Sequence, residues 1–359
     1  MERVGYLAGR GLLRPRALFA GLLAFAAIAL LAAAGPAQAH LPAEDPFQDR
    51  VIPGPAPGAK GGAPSLPEIP LPGGGSVGVQ VDAAYAGDGA LQRVLNTLAE
   101  LPHGPEMDRL SVHIADLGSL YRSCGQGATA CYYPGSQLMV VSGSPVNPNN
   151  GMPQAMVIAH EYAHHLEANR SLPGWNASHL GGRHWATHEQ VCEGVAAGRL
   201  FPGDQGAHYW DNPGEAFAQA YATMLYPDAV PWWWHFAEPD AGAFDAIRAD
   251  VADGSGGSKV RWARTLAPRS PRAATTITTS VDGPIGVRLQ QPRAARFDLV
   301  LRAADGTVVR RGRVMRRAKG KSKRPVSQLT YSSCGTRSFT VEVRRRAGKG
   351  RFTAQIQRP

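Results

Sequence analysis

Apolar residues recur along this chain with two periods, and the switch between them divides it. From Leu91 to Leu101 they sit at helical spacing, through Val94, Leu95 and Leu98. Leu110-Ser-Val-His-Ile114 alternates as a strand does, and Gln137 to Ser142 reads as a second short strand. Pro153 then opens a stretch without Gly or further Pro that predicts a helix over about 153–169. Pro213 opens another helix, with Ala216, Phe217, Ala220 and Tyr221 at its apolar positions, and Phe244 to Val251 reads as a short last one. From about Thr279 the period becomes two. Val287/Leu289, Phe297/Leu299/Leu301, Leu329/Tyr331, Phe339/Val341/Val343 and Phe352/Ala354/Ile356 predict about six strands, with a tight hairpin at Asp305-Gly306. The fold class that follows is an α+β domain and then an all-β sandwich.

The first residues have neither period. Arg3, Arg10, Arg14 and Arg16 precede an apolar run from Ala17 to Ala34, and Ala37-Gln-Ala39 has the form of a cleavage site. Residues 1–39 are therefore expected to be a signal peptide, with an uncleaved membrane anchor as the alternative. Residues 40–80 are rich in Pro and Gly and offer little to bury, so they are expected to be extended or disordered, as a stalk or as a removable pro-segment. The divisions expected after them are an α+β domain over 81–252, a linker over 253–278 and a basic β-sandwich over 279–359.

Charge sharpens this division. Residues 1–39 carry 4 basic and 1 acidic side chains (+3), residues 40–258 carry 9 and 23 (−14), and residues 259–359 carry 25 and 4 (+21), which sum to the formal +10. The C-terminal basic clusters include Arg310-Arg311, Arg316-Arg317, Lys319 to Arg324 and Arg344-Arg-Arg346. In an exported chain they suit anionic cell-envelope polymers or lipid. With no recognition helix and no aromatic series among them, nucleic acid is disfavoured, and solvated strand faces are the plainer alternative. Four cysteines in an exported chain favour two disulfides. Cys124 and Cys131 flank a short Gly-rich stretch and suit a local bridge, which leaves Cys192 for Cys334. No CxxC pair is present, so a Cys-only metal site has no basis.

The chemistry concentrates in Val157-Ile-Ala-His160-Glu161-Tyr-Ala-His164-His165-Leu166. Residues four apart share a helix face, so His160 and His164 can direct two imidazoles at one zinc ion. Glu161 is turned away by about 100° and is placed for a general base. His165 faces elsewhere, toward the surface or a supporting role. A catalytic zinc needs a third protein ligand. The metzincin pattern is excluded, because Glu167 and Arg170 stand where it requires Gly and His. Glu215, in Asp211-Asn-Pro-Gly-Glu215-Ala-Phe-Ala, would complete a His2Glu set. Asn212 and Glu215 also have capping-box spacing, so a purely structural role for that carboxylate is the alternative. His184, His188 and His208 are rival ligands. Val230-Pro-Trp-Trp-Trp-His-Phe236 concentrates aromatics that either touch a substrate or pack beneath a helix, and packing is the favoured reading.

His160, Glu161, His164 and Glu215 resemble the zincin metallopeptidases of the gluzincin type, and Asn212-Pro-Gly-Glu215-Ala-Phe-Ala is similar to the third-ligand helix of bacterial members. The resemblance covers roughly residues 80 to 240. It implies one catalytic Zn²⁺, a polypeptide substrate and an edge strand that binds it. If Gln137 to Ser142 is that edge, substrate would pair with its backbone; a paired central strand is the alternative. No longer motif identifies a transition-state donor, so His208, Tyr209 and Tyr221 are candidates by chemistry alone. The β-rich end resembles the accessory domains of secreted bacterial peptidases. The leading reading is a secreted zinc peptidase. The alternatives are an inactive zincin scaffold that binds the envelope through its basic domain, and a zinc amidase acting on peptidoglycan.

Overall fold

Five short strands build the first sheet: β1 (Glu68–Pro70), β2 (Ser76–Val81), β3 (Ser111–Ala115), β4 (Ala130–Tyr133) and β5 (Leu138–Ser142). The computed structural model describes residues 51–53, 66–253, 257–315 and 325–359. The signal-peptide expectation over 1–39, most of the Pro/Gly-rich stretch, and the basic residues 316–324 lie outside the described residues. No helix among the described residues is long and apolar enough to cross a membrane.

Strand order is β1-β2-β3-β5-β4. The middle three are parallel, and β1 and β4 are antiparallel to their neighbours. Parallel neighbours need a crossover, and α1 (Ala90–Glu100) supplies it between β2 and β3, burying Ala90, Val94, Leu95 and Leu98. β5 is buried at every position and has a partner on each side. Of the two readings of Gln137 to Ser142, the paired central strand therefore holds and the edge does not, because β3 and β4 occupy its two sides. The edge is β4. Its outer side is already paired, because Val51 bridges Tyr132 in parallel and the Ile52 amide donates to the Tyr132 carbonyl at 2.9 Å.

After α2 (Leu117–Cys124) lies α3 (Gln154–Arg170), the helix predicted after Pro153. Met156 to Glu167 are all buried, so this helix is enclosed on every face. Three short helices, α4 (Ala177–Leu180), α5 (Arg183–His188) and α6 (Val191–Ala196), lead to α7 (Pro213–Leu225) and α8 (Ala241–Ala252). α7 packs against α3, where Ala159, Ala163, Ala216 and Ala220 are fully buried small residues.

The C-terminal region is entirely antiparallel. β6 (Ser258–Leu266), β7 (Arg272–Thr278), β8 (Gly283–Gln290), β9 (Arg296–Ala303), β10 (Val308–Arg311), β11 (Arg313–Val314), β12 (Val326–Ser333), β13 (Ser338–Ala347) and β14 (Gly350–Arg358) form a four-stranded sheet, β10-β9-β13-β7, and a five-stranded sheet, β11-β12-β8-β14-β6. Inward side chains from both sheets, among them Leu289, Leu301, Val341 and Phe352, form one core.

Here the sequence reading falls short at two boundaries. β1 and β2 lie within the stretch expected to be extended, and β6 and β7 lie within the expected linker. β6 and β7 are hard to read because their buried residues are few: Trp262 and Leu266 in one, Ile277 in the other. Their identity as strands comes from pairing, with β14 and β13 respectively.

Both regions belong to one compact unit, Asp45–Pro359. Cys192 and Cys334 are bonded across them, and the Asp282 amide donates to Thr187 Oγ1 at 2.7 Å. Cys124 and Cys131 form the second disulfide, tying α2 to β4.

Candidate metal centre

His160 and His164 lie one turn apart on α3 with their ring centroids 5.0 Å apart. Their Nε2 atoms both face the Glu215 carboxylate, at 3.5 and 3.2 Å from Oε2 respectively. The three ligand atoms lie within 4.8 Å of one another, and all three residues are buried. This is a candidate zinc-binding triad of zincin type.

The neighbours orient each ligand. His160 Nδ1 stands 3.3 Å from Gln219 Oε1, and His164 Nδ1 stands 2.9 Å from Glu167 Oε2. Each Nδ1 thus meets an acceptor, which leaves the Nε2 lone pairs for a cation. Tyr209 donates to Glu215 Oε2 at 3.3 Å and Gln205 Nε2 donates to Oε1 at 2.5 Å. Two imidazoles and a carboxylate with such supports fit a zinc ion that keeps an open position.

Glu215 reaches this point through its helix start. Asn212 caps α7 by accepting from the Gly214 amide at 3.2 Å, and its own amide, which a capping box would give to Glu215, donates to the Tyr209 carbonyl at 3.0 Å, so the capping-box alternative does not hold. Asn212 also accepts from the Gly203 amide at 2.9 Å, tying the preceding loop to the cap. A Cβ at Gly214 would sit 2.4 Å from the Ser178 carbonyl oxygen. Only glycine lets the first turn of α7 approach α4 so closely.

The rival ligands are elsewhere. His184 Nε2 is 3.6 Å from Asp253, His188 Nε2 is 3.1 Å from Asp240, and His208 is exposed, stacked on Phe201 and 3.8 Å from Asp211. Of the hydroxyl candidates, Tyr209 borders the triad. Tyr221 instead donates to the Pro102 carbonyl at 2.6 Å and packs against Tyr162. His165 is not a surface residue: fully buried, it bonds Tyr132 Oη and the Glu106 carbonyl, each at 2.9 Å. Burial pushes its imidazolium down to about 4, so the ring is neutral near pH 7.

Four neighbours escaped the sequence reading, one of them Gln205, which no helical spacing ties to Glu215. Gln219 follows Glu215 at i+4 and Glu167 follows His164 at i+3, spacings that bring side chains together on one face. Both were legible as neighbours of a ligand, though not as its supports. Trp234, from the triple-tryptophan run, lies 6.5 Å from the His160 ring and 6.2 Å from Tyr209 between ring centroids. It packs, as the favoured reading has it, but what it packs against is the candidate metal centre.

No protein-family model matches this chain, and no curated protein does. Among solved structures, the pre-peptidase C-terminal domain of a collagenase from Bacillus anthracis is similar at 11% identity and a TM-score of 0.22, over 28% of this chain and 88% of that one. A mitogen derived from Yersinia pseudotuberculosis is similar at 11% identity and a TM-score of 0.21, over 29% and 87%. Scores this low leave the triad, rather than the likenesses, to carry a functional reading.

Proposed function

We propose that this chain is a secreted zinc-dependent metallopeptidase. The observation that carries the reading is the convergence of His160, His164 and Glu215 in a buried cluster, with Glu161 beside the first ligand on the same helix. Zn²⁺, held by those three residues, would acidify a water and polarise the scissile carbonyl. Glu161 takes the proton from the attacking water and passes it to the leaving amine. Glu167 and Gln219 hold the two imidazoles in register for ligation, and Tyr209, which bonds the Glu215 carboxylate, would exchange that partner for the oxyanion as it forms.

A polypeptide substrate is supported by the resemblance of His160, Glu161, His164 and Glu215 to zincin metallopeptidases, whereas the outer side of β4 is already covered by Val51 and Ile52. Export is supported by the basic start, apolar run and Ala-x-Ala site of residues 1–39.

The test is metal analysis of the purified protein beside a peptide-library cleavage assay, with and without chelator. One zinc per chain and turnover that chelator abolishes and zinc restores are expected. Turnover indifferent to metal removal would end the proposal. Zinc retained with no turnover on any peptide would favour the envelope-binding scaffold, and cleavage of peptidoglycan cross-links alone would favour the amidase.

A further inference from the structure

The outer face of the five-stranded sheet carries a row of alternating charge and amide. Register places Arg313 opposite Gln328, Gln328 opposite Arg288, Arg288 opposite Gln355, and Gln355 opposite Arg261. All five side chains are exposed, whereas the residues flanking Gln328, Arg288 and Gln355 along their strands are buried inward. The row crosses the whole sheet, with arginines on alternate strands and so about 10 Å apart. Gly286, on β8 two residues before Arg288, lacks a side chain and opens a trough of about 480 Å³ beside the row, bordered also by Lys259 and Gln357.

The charge here differs in kind from that on the opposite sheet. None of the five strands of this sheet contains Asp or Glu. On the four-stranded sheet, by contrast, Glu342 pairs with Arg272, Arg302 and Arg344, and Asp298 with Arg346. The Arg344-Arg-Arg346 cluster is therefore partly neutralised at home, while among the described residues the Arg313–Arg261 row faces outward with no acidic side chain on its own five strands.

From this arrangement we infer that the outer face of the five-stranded sheet binds an acidic polysaccharide, a chain of sugars carrying carboxylates or sulfates. Guanidinium groups fork onto such anions, and the interleaved glutamine amides, donor and acceptor at once, match the hydroxyls between them. A regular spacing of cations along a straight row suits a polymer with a regular spacing of anions. The outward positions hold no aromatic residue on which a nucleobase could stack, which disfavours single-stranded nucleic acid. The inference is independent of the zinc centre.

The test is calorimetric titration of the full chain with alginate oligosaccharides, polymers of uronic acids, at low and at physiological ionic strength. Neutral dextran, oligothymidylate and phosphatidylglycerol vesicles are the comparison probes. The triple variant R261Q/R288Q/R313Q is expected to lose affinity for alginate about tenfold or more. The variant R296Q/R310Q/R311Q, which removes the same charge from the other sheet, is expected to stay within about threefold of the parent. G286E adds a carboxylate to the trough, where the nearest atom to a new Cβ is 3.8 Å away, and is expected to abolish binding with every arginine retained. Thermal melting checks that each variant folds as the parent does. Equal losses in the two triple variants, or tighter binding of oligothymidylate or vesicles than of alginate, would overturn the inference.

Discussion

His164 Nδ1 lies 2.9 Å from Glu167 Oε2, with both side chains fully buried one turn apart on the same helix. The contact fixes which imidazole nitrogen carries the proton and so which one is offered to a metal. Replacing Glu167 by Gln keeps the shape but weakens that preference. We expect E167Q to bind zinc about 10- to 100-fold more weakly than the parent, measured by competition with a chromogenic chelator. Unchanged affinity would remove Glu167 from the metal centre's support.

Gly214 is expected to matter as much as the ligand that follows it. A methyl group in G214A meets the Ser178 carbonyl oxygen at 2.4 Å, so α7 must shift and carry Glu215 with it. Zinc stoichiometry should fall well below one, while G286A, whose Cβ meets nothing closer than 3.8 Å, should leave both zinc content and melting temperature near the parent's.

Tyr209 and Tyr221 separate by kinetics. Tyr209 bonds the third-ligand carboxylate, whereas the Tyr221 hydroxyl is committed to Pro102. Y209F should keep zinc and lose about 10²-fold in kcat with little change in KM. Y221F should leave kcat nearly unchanged, and the reverse pattern would exchange their roles.

Glu106 gives a pH signature in stability. Fully buried, it accepts from the Gly104 amide at 2.7 Å and the Tyr162 hydroxyl at 2.8 Å, and pairs with Arg170 at 2.9 Å. Burial works to raise its pKa, but these partners outweigh burial and hold the carboxyl below its ordinary value of 4.5. As pH falls the unfolded chain takes up the proton first, so the stabilisation is complete above that value and lost in acid. E106Q should cost about 3 kcal/mol at neutral pH, because it leaves Arg170 buried without its counter-charge. In urea titrations the gap from the parent should narrow below pH 4.5; a gap independent of pH would contradict the assignment.

The Cys192–Cys334 bridge closes a loop with a sequence separation of 142, against 7 for Cys124–Cys131. Chain entropy alone makes the longer closure worth about 5 kcal/mol, an upper figure that native-state effects reduce. C192S/C334S is therefore expected to lower the melting temperature more than C124S/C131S, and to retain zinc, since neither cysteine touches the triad. Equal shifts in differential scanning calorimetry would argue against a loop-length origin.

Much of this protein is legible along the chain, because much of it rests on local geometry. The i, i+4 spacing of His160 and His164 follows from helix pitch, and the alternation in β8, β9, β13 and β14 follows from the pleat. The helix opened by Pro213, like the short Cys124–Cys131 bridge, also depends on rules that act within or near a segment. What lies beyond such rules is set where distant segments meet. Glu215 has both cap and ligand spacing, and only the packing of α7 on α3 and α4 turns its carboxylate toward two imidazoles. Nothing local marks β4 rather than β5 as the sheet edge, distinguishes Tyr209 from Tyr221, or shows that Trp234 borders His160. Periodicity tells which face of an element is buried; which element covers that face is the outcome of the whole core packing at once.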